Sequence, residues 1–100
     1  MTVTLEGRLD ALEAAPLRAL LSDAILDGQI NIAIDLSAVE FVDSAGLAAL
    51  VKGMKETRRA GGDLKLVSPR SADAMRVFEL TKFDQVFTMA PDAKSLLQDW

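Results

Sequence analysis

Residues 31–36, Asn-Ile-Ala-Ile-Asp-Leu, limit the fold most, because they are apolar at successive positions apart from Asn31 and Asp35. Successive side chains of a strand point to opposite faces of the sheet, so a strand of this kind needs a cover on both faces. Such strands are typical of parallel sheets with helices on both sides. The segment therefore predicts a central strand of an α/β sheet.

One strand and one helix are predicted before it. Residues 3–5 alternate with polar neighbours and indicate a half-buried strand that ends at Gly7. Apolar residues then recur at helical spacing, namely Leu17, Leu20, Leu21, Ala24 and Ile25. Because Pro16 is favoured only in a first turn, we expect this helix near residues 14–27, with Gly28 beyond it. Asp10 and Glu13 could instead form a capping box, but Pro16 would then lie too deep, so the later start is favoured.

A second helix is predicted after a short loop that runs through residue 40. Its apolar residues keep a helical period, with Leu47, Leu50, Val51 and Met54 on one face. The helix is predicted to end at Gly61 and Gly62. The opposite face carries Lys52, Lys55, Glu56, Arg58 and Arg59. A solvated face is the simplest interpretation of this basic stripe, and a surface that docks a partner is the alternative.

The C-terminal third repeats the alternation of strand and helix. Residues 64–67 predict a strand, and Ser68 followed by Pro69 has the form of an N-cap and a first helical residue. The next helix has an apolar face of Ala74, Val77 and Phe78. Residues 86–89 predict a short strand. A last helix is predicted to begin at Pro91 and to be anchored by Leu96, Leu97 and Trp100. We expect one α/β domain over residues 1–100, with a mixed, mostly parallel sheet of about four strands and about four helices.

The composition excludes several kinds of activity. The chain has no His and no Cys, which removes Ser-His-Asp catalysis and thiolate metal sites. The Gly-rich motifs that hold phosphates are absent as well. We therefore expect no catalytic residue, no cofactor and no metal. A hydrolase that uses only carboxylates, with Asp35 and Asp43 as its pair, is the enzymatic alternative that remains.

Charge and hydropathy limit the partners. The net charge is −4, whereas nucleic-acid binding needs a basic face that displaces counterions. The longest apolar run, residues 45–51, is far too short to cross a bilayer. Glu6 lies where a signal peptide would be apolar. The sequence predicts a cytoplasmic protein with no nucleic-acid partner and no membrane insertion.

The segment 42–47, Val-Asp-Ser-Ala-Gly-Leu, lies between a strand and a helix and allows two interpretations. In the first, Asp43 or Ser44 is an N-cap worth about 1 kcal/mol, and Gly46 lets the first turn pack closely. In the second, Ser44 accepts a phosphate, which a helix N-terminus tolerates and which adds nearly two negative charges. Asp43, together with Asp35 at an expected strand end on the same edge, would repel that phosphate. The surface potential would then change while the fold persisted.

Several segments resemble the signature of STAS domains, in particular bacterial anti-sigma factor antagonists. They are Ile-Asp-Leu at 34–36, Phe-Val-Asp-Ser-Ala-Gly-Leu at 41–47, Gly-Arg-Leu-Asp at 7–10, Arg-Ala-Gly-Gly-Asp-Leu at 59–64 and Val-Phe-Glu-Leu at 77–80. The resemblance covers nearly the whole chain in the family's order. It departs from the family before residue 3, where a further strand is usual, and at Ala45, where Ser or Thr is frequent. It also departs at Lys82, where Gly is common and a positive φ would strain another residue.

The resemblance implies a non-enzymatic anti-sigma factor antagonist, a monomer or weak dimer. Ser44 corresponds to a serine that is phosphorylated by a partner acting as both anti-sigma factor and serine kinase, and a phosphatase resets it. The implied partner-binding residues are Asp10, Asp35, Asp43, Ser44, Ala45, Gly46 and Leu47. For Asp10 a capping or turn role is an equal alternative, and for Asp35 a strand-end or bracing role is favoured. Asp-Ser-Ala-Gly also resembles STAS subunits of lipid-transport ABC complexes, which implies the alternative of an unphosphorylated subunit in a larger assembly.

Overall fold

Four strands alternate with helices along residues 1–98, the part of the chain that this computed structural model describes. The elements are β1 (Thr2–Leu9), α1 (Ala11–Leu26), β2 (Asn31–Val42), α2 (Ser44–Arg59), β3 (Asp63–Val67), α3 (Ala72–Thr81), a 3-10 turn (Phe83–Gln85), β4 (Thr88–Ala90) and α4 (Ala93–Leu97). The strands form one sheet in the order β1-β2-β3-β4, and each neighbouring pair is parallel. The predicted α/β class is confirmed, since parallel neighbours need the helical crossovers that the alternating pattern supplies.

Helices cover both faces of this sheet. On one face, Gly53 of α2 lies against the side chains of Leu21 in α1 and Leu64 in β3. On the other face, Leu96 of α4 packs with Ala33 of β2. The central strand β2 is therefore covered on both sides, as its apolar sequence predicts.

β1 and β2 are both longer than the sequence predicts. β1 passes through Gly7, at φ 74, and ends at Leu9. β2 passes through residues 37–40, the expected loop, and ends at Val42. The second halves of the two strands pair with each other across two shifts of register. The predicted end at Gly7 and the predicted loop are wrong, because inter-strand hydrogen bonds hold both segments extended and glycine tolerates the bulged position.

α1 begins at Ala11, so the favoured start near residue 14 is wrong and the alternative start after Asp10 is correct. The Asp10 carboxylate caps the helix and accepts a hydrogen bond from the Leu12 N–H at 3.1 Å. Pro16 lies in the second turn and has no N–H for the Leu12 carbonyl. Leu12 is 83% exposed, so water can reach this turn, and the missing bond is tolerated on the solvent side.

The cap of α3 also differs from the prediction. Ser71 caps the helix, since its hydroxyl accepts a hydrogen bond from the Ala74 N–H at 3.3 Å. The predicted cap, Ser68, donates its N–H to the Ala90 carbonyl of β4 at 2.9 Å instead. β4 begins two residues later than expected, because Val86 follows the 3-10 turn. The pairing of the strand ends therefore outweighs the local Ser-Pro signal.

The last helix begins two residues later than the predicted start at Pro91. Asp92 is its N-cap, and the helix begins at Ala93. Leu96 is buried, whereas Leu97 is 43% exposed. Leu96 is thus an anchor as predicted and Leu97 is not; Trp100, the third predicted anchor, lies outside the described residues.

Candidate functional site

β1 and β2 end side by side, and each leads into a helix through one aspartate. Leu9 pairs with Val42 in the sheet. Asp10 then caps α1, and Asp43 caps α2. Both helix N-termini therefore lie at the same edge of the sheet, and Ser44 is the first residue of the second one. We take this edge as the candidate functional site.

The Asp43 carboxylate links the two helices. Its Oδ1 atom accepts a hydrogen bond from the Gly46 N–H at 2.9 Å, within α2. Its Oδ2 atom accepts one from the Ala11 N–H at 3.1 Å, in the first turn of α1. A negative charge at two helix N-termini is favourable because both present positive dipole ends. The capping interpretation is therefore confirmed for Asp43, and Ser44 is not the cap.

A second cluster surrounds Asp10 on the solvent side. The Asp10 Oδ2 atom accepts a hydrogen bond from Arg8 Nε at 3.3 Å, and the Arg8 guanidinium lies 4.1 Å from the centre of the Phe41 ring. The capping role of Asp10 is confirmed, and its contact with a partner stays a prediction. Sequence reasoning missed Arg8 and Phe41. Arg8 of β1 pairs with Phe41 of β2 in the sheet. The sequence did not indicate this contact because it predicts strands that end before these residues pair.

Ser44 is exposed at this edge. Within residues 1–98 its hydroxyl has no hydrogen-bond partner, and the N–H groups of Ser44 and Ala45 have no acceptor. These are two of the donors that a helix start leaves unsatisfied. The hydroxyl can therefore be reached from solvent, and donors for an anion lie beside it.

The residues that follow Ser44 hold the helix against the sheet. Gly46 is buried, and a Cβ atom there would collide with the backbone carbonyl of Leu9. Leu47 is buried in the core, and Ala45 is half-buried against it. The close packing that the sequence assigned to Gly46 is confirmed. Of the predicted binding residues after Ser44, Ala45 retains the most accessible surface.

Asp35 lies away from this edge, contrary to the expectation that it ends its strand there. Asp35 lies inside β2, where it pairs with Val67 of β3, and its side chain accepts a hydrogen bond from the Ser37 N–H at 2.9 Å. It lies seven positions before Val42 along the strand, a distance of about 23 Å. Asp35 and Asp43 therefore form no carboxylate pair, which removes the structural basis of the hydrolase alternative. The side chain braces the shift of register next to it, and its contact with a partner stays a prediction.

A shallow groove runs along α2 from Ser44. Its floor is apolar and consists of Leu47, Ala48, Val51 and Phe83. Lys52 and Lys55 also line it. Lys52 has one weak contact, to Glu56 at 3.9 Å, and among the described residues Lys55 has no ion pair. The sequence showed the basic stripe but not the groove, because Phe83 reaches it from a turn 39 positions after Ser44.

Among residues 1–98, no helix has the length and apolar character needed to cross a membrane. No group of three or more His, Cys, Asp or Glu in the same range is arranged to hold a metal ion.

Comparisons with known proteins agree with this architecture. RsfB of Mycobacterium tuberculosis, an anti-sigma-F factor antagonist, is 30% identical over 88 residues, which cover 87% of this chain and 70% of RsfB. The crystal structure of TM1081 from Thermotoga maritima matches with a TM-score of 0.88 and 27% identity, over 98% of this chain and 86% of that one. The phosphorylated form of SpoIIAA, a Bacillus cell fate determinant, matches with a TM-score of 0.72 and 25% identity, over 95% and 86%. The family model for the STAS domain matches residues 1–96, and the chain belongs to the STAS domain family.

Proposed function

We propose that this protein is an anti-sigma factor antagonist that binds an anti-sigma factor with serine-kinase activity and is released when Ser44 is phosphorylated. The observation that carries this proposal is the exposed Ser44 hydroxyl at the first residue of α2. Two relatives support it, since RsfB is named as an anti-sigma-F factor antagonist and SpoIIAA has a phosphorylated form.

The surroundings of Ser44 suit a reversible phosphate. The unbonded N–H groups of Ser44 and Ala45 can donate hydrogen bonds to phosphate oxygens at the positive end of the helix dipole. Both Asp43 oxygens are already held by backbone N–H groups, so this carboxylate keeps its position as an anion next to the phosphate. The modification changes the charge of the surface and leaves the caps in place.

The proposed contact surface is the edge that carries Asp10, Asp43, Ser44, Ala45 and Leu47. A partner pressed against it removes water from Ser44. A phosphate there brings about two negative charges into that dry contact beside Asp43. An unmatched charge in an interface costs roughly 2–5 kcal/mol, which corresponds to a loss of affinity of about 30-fold or more.

Phosphate mapping and binding with three variants test the proposal. Purified wild type, Ser44→Ala and Ser44→Glu are immobilised and incubated with extract of the source cells, and retained proteins are assayed with labelled ATP. We expect wild type and Ser44→Ala to retain a kinase, only wild type to be labelled, and the label to map to Ser44. Ser44→Glu is expected to keep its stability within about 0.5 kcal/mol, as an exposed substitution does, and to lose the partner. A label elsewhere, or full retention by Ser44→Glu, contradicts the proposal.

The alternative is a STAS subunit of a larger assembly, such as a lipid-transport ABC complex, and Ala45 after Ser44 favours it. It predicts that Ser44 contacts its partner and is never modified. In the same experiment Ser44→Ala would then weaken retention, and no kinase in the extract would label wild type.

A further inference from the structure

The groove beside Ser44 offers an apolar strip with positive charge at its far end. Ala48 is exposed and Val51 is half-buried on its floor. Lys52 and Lys55 line it, and no carboxylate does. On a protein with a net charge of −4, this is a local cationic site.

We propose that this groove docks an acidic amphipathic helix of the partner that binds at Ser44. The inference rests on the function proposed above and adds the chemistry of the bound segment. From Ser44 to Lys55 the groove extends eleven residues along α2, about 17 Å or three helical turns. A partner helix of that length covers Ala48 and Val51 with its apolar stripe and places Asp or Glu side chains against Lys52 and Lys55.

Charge decides between this occupant and a second copy of the chain. A two-fold contact of α2 with itself would bring Lys52 and Lys55 of one copy close to those of the other. Like charges in an interface cost several kcal/mol and select against a partner. An acidic segment has the opposite effect, because it pairs with both lysines and speeds association.

The same geometry explains why a phosphate on Ser44 would act on the partner rather than on the lysines. Lys52 lies eight residues along the helix, about 12 Å, which exceeds the screening length of about 8 Å at physiological salt. The lysines therefore do not neutralise the phosphate, which stands as an unpaired charge in the contact at the Ser44 end of the groove. Phosphorylation weakens binding through that unpaired charge.

Charge reversal in the groove tests the inference. The probe is the partner protein that wild type retains and that Ser44→Glu does not retain. We expect Lys52→Glu/Lys55→Glu to slow association about tenfold and to flatten its salt dependence. Lys52→Arg/Lys55→Arg keeps the charge and should bind as wild type does. Lys94→Glu, an exposed charge reversal on α4, is the matched control and should change affinity less than twofold.

Hydrogen exchange on the partner identifies the docked segment. Protection of a helix with Asp or Glu on one face supports the inference, and protection of a basic or non-helical segment overturns it. If Ser44→Glu abolishes binding while the double lysine reversal binds normally, the docking inference fails and the antagonist function stands. If no protein is retained in a Ser44-dependent way, the proposed function fails and this inference fails with it. Sedimentation of wild type as a dimer that the lysine reversals dissociate would assign the groove to a second copy and overturn the proposal.

Discussion

Asp43 accepts a hydrogen bond from the backbone N–H of Ala11 at 3.1 Å, although the two residues are 32 positions apart in the chain. Its other oxygen holds the Gly46 N–H at 2.9 Å. One carboxylate thus fixes the starts of α1 and α2 relative to each other. Asp43, which precedes the proposed phosphoacceptor Ser44 in the chain, therefore joins the two helices.

Removal of this link is expected to cost about twice as much as removal of an ordinary cap. Asp43→Ala loses two caps and should lower the free energy of unfolding by about 2 kcal/mol, whereas Asp10→Ala loses one helix cap, about 1 kcal/mol. Asp43→Asn should fall between them, because its amide keeps one acceptor and places a donor against the second N–H. Urea denaturation measures all three. Equal costs for Asp43→Ala and Asp10→Ala would show that the bond to Ala11 contributes nothing.

Gly46→Ala is expected to destabilise the protein although alanine favours helices. The new methyl group meets the Leu9 backbone carbonyl, so the start of α2 must move away from β1, at about 1–3 kcal/mol. Gly53→Ala is the matched control in the same helix. Its Cβ would meet only side-chain ends, Leu21 at 2.8 Å and Leu64 at 3.0 Å, which shift more readily than a backbone carbonyl, and the gain in helix propensity of about 1 kcal/mol offsets part of that cost. The comparison is made by urea denaturation, and a Gly46→Ala variant as stable as Gly53→Ala contradicts the packing argument.

Lys82→Gly is expected to stabilise the protein. Lys82 ends α3 in the left-handed region at φ 62, which costs a residue with a side chain about 1–2 kcal/mol. Part of that gain is lost because glycine makes the unfolded chain more flexible, so we expect a net gain of about 0.5–1 kcal/mol. Gly61→Ala is the reverse control: its φ is 96 and no atom lies near its Cβ position, so only backbone strain destabilises it. Thermal unfolding of both variants checks the opposite signs.

The start of α4 should depend on pH through Asp92. The Ser95 backbone N–H, at 2.7 Å, and then the Ser95 side chain lower the pKa of Asp92 from its ordinary value of 3.8. A carboxylate whose pKa is lower in the folded state than in the unfolded state stabilises the folded state at pH values above its unfolded pKa. That stabilisation is lost as the pH falls through the folded pKa. We expect the Ser95 amide signal in NMR spectra to shift with pH with a midpoint below 3.8. Asp92→Asn should remove this shift, and a midpoint above 3.8 in wild type would contradict the assignment.

The local pattern predicted much of the scaffold and part of the site. The apolar run around Ile34 predicts a strand covered on both faces, and Asp43 before a helical period predicts an N-cap. The exposure of Ser44 and the strained turn at Lys82 also agree with what the sequence indicates. In each case the signal lies within a few residues of the feature, because helical spacing, capping and φ preference are local properties.

The local sequence accounts for the α/β class, the position of α2 and the serine at its first turn, since these depend on periodicity and on the residue next in the chain. The folded structure was needed to show where α1 begins, how far β1 and β2 extend, that Asp35 lies far from Ser44, and that Phe83 completes the groove. Those features depend on hydrogen bonds between strands, on a cap supplied from 32 positions away and on contacts across the fold. Such partners leave no mark in the local pattern, and here they outweighed the expected penalty at Pro16 and the polar residues of the presumed loop.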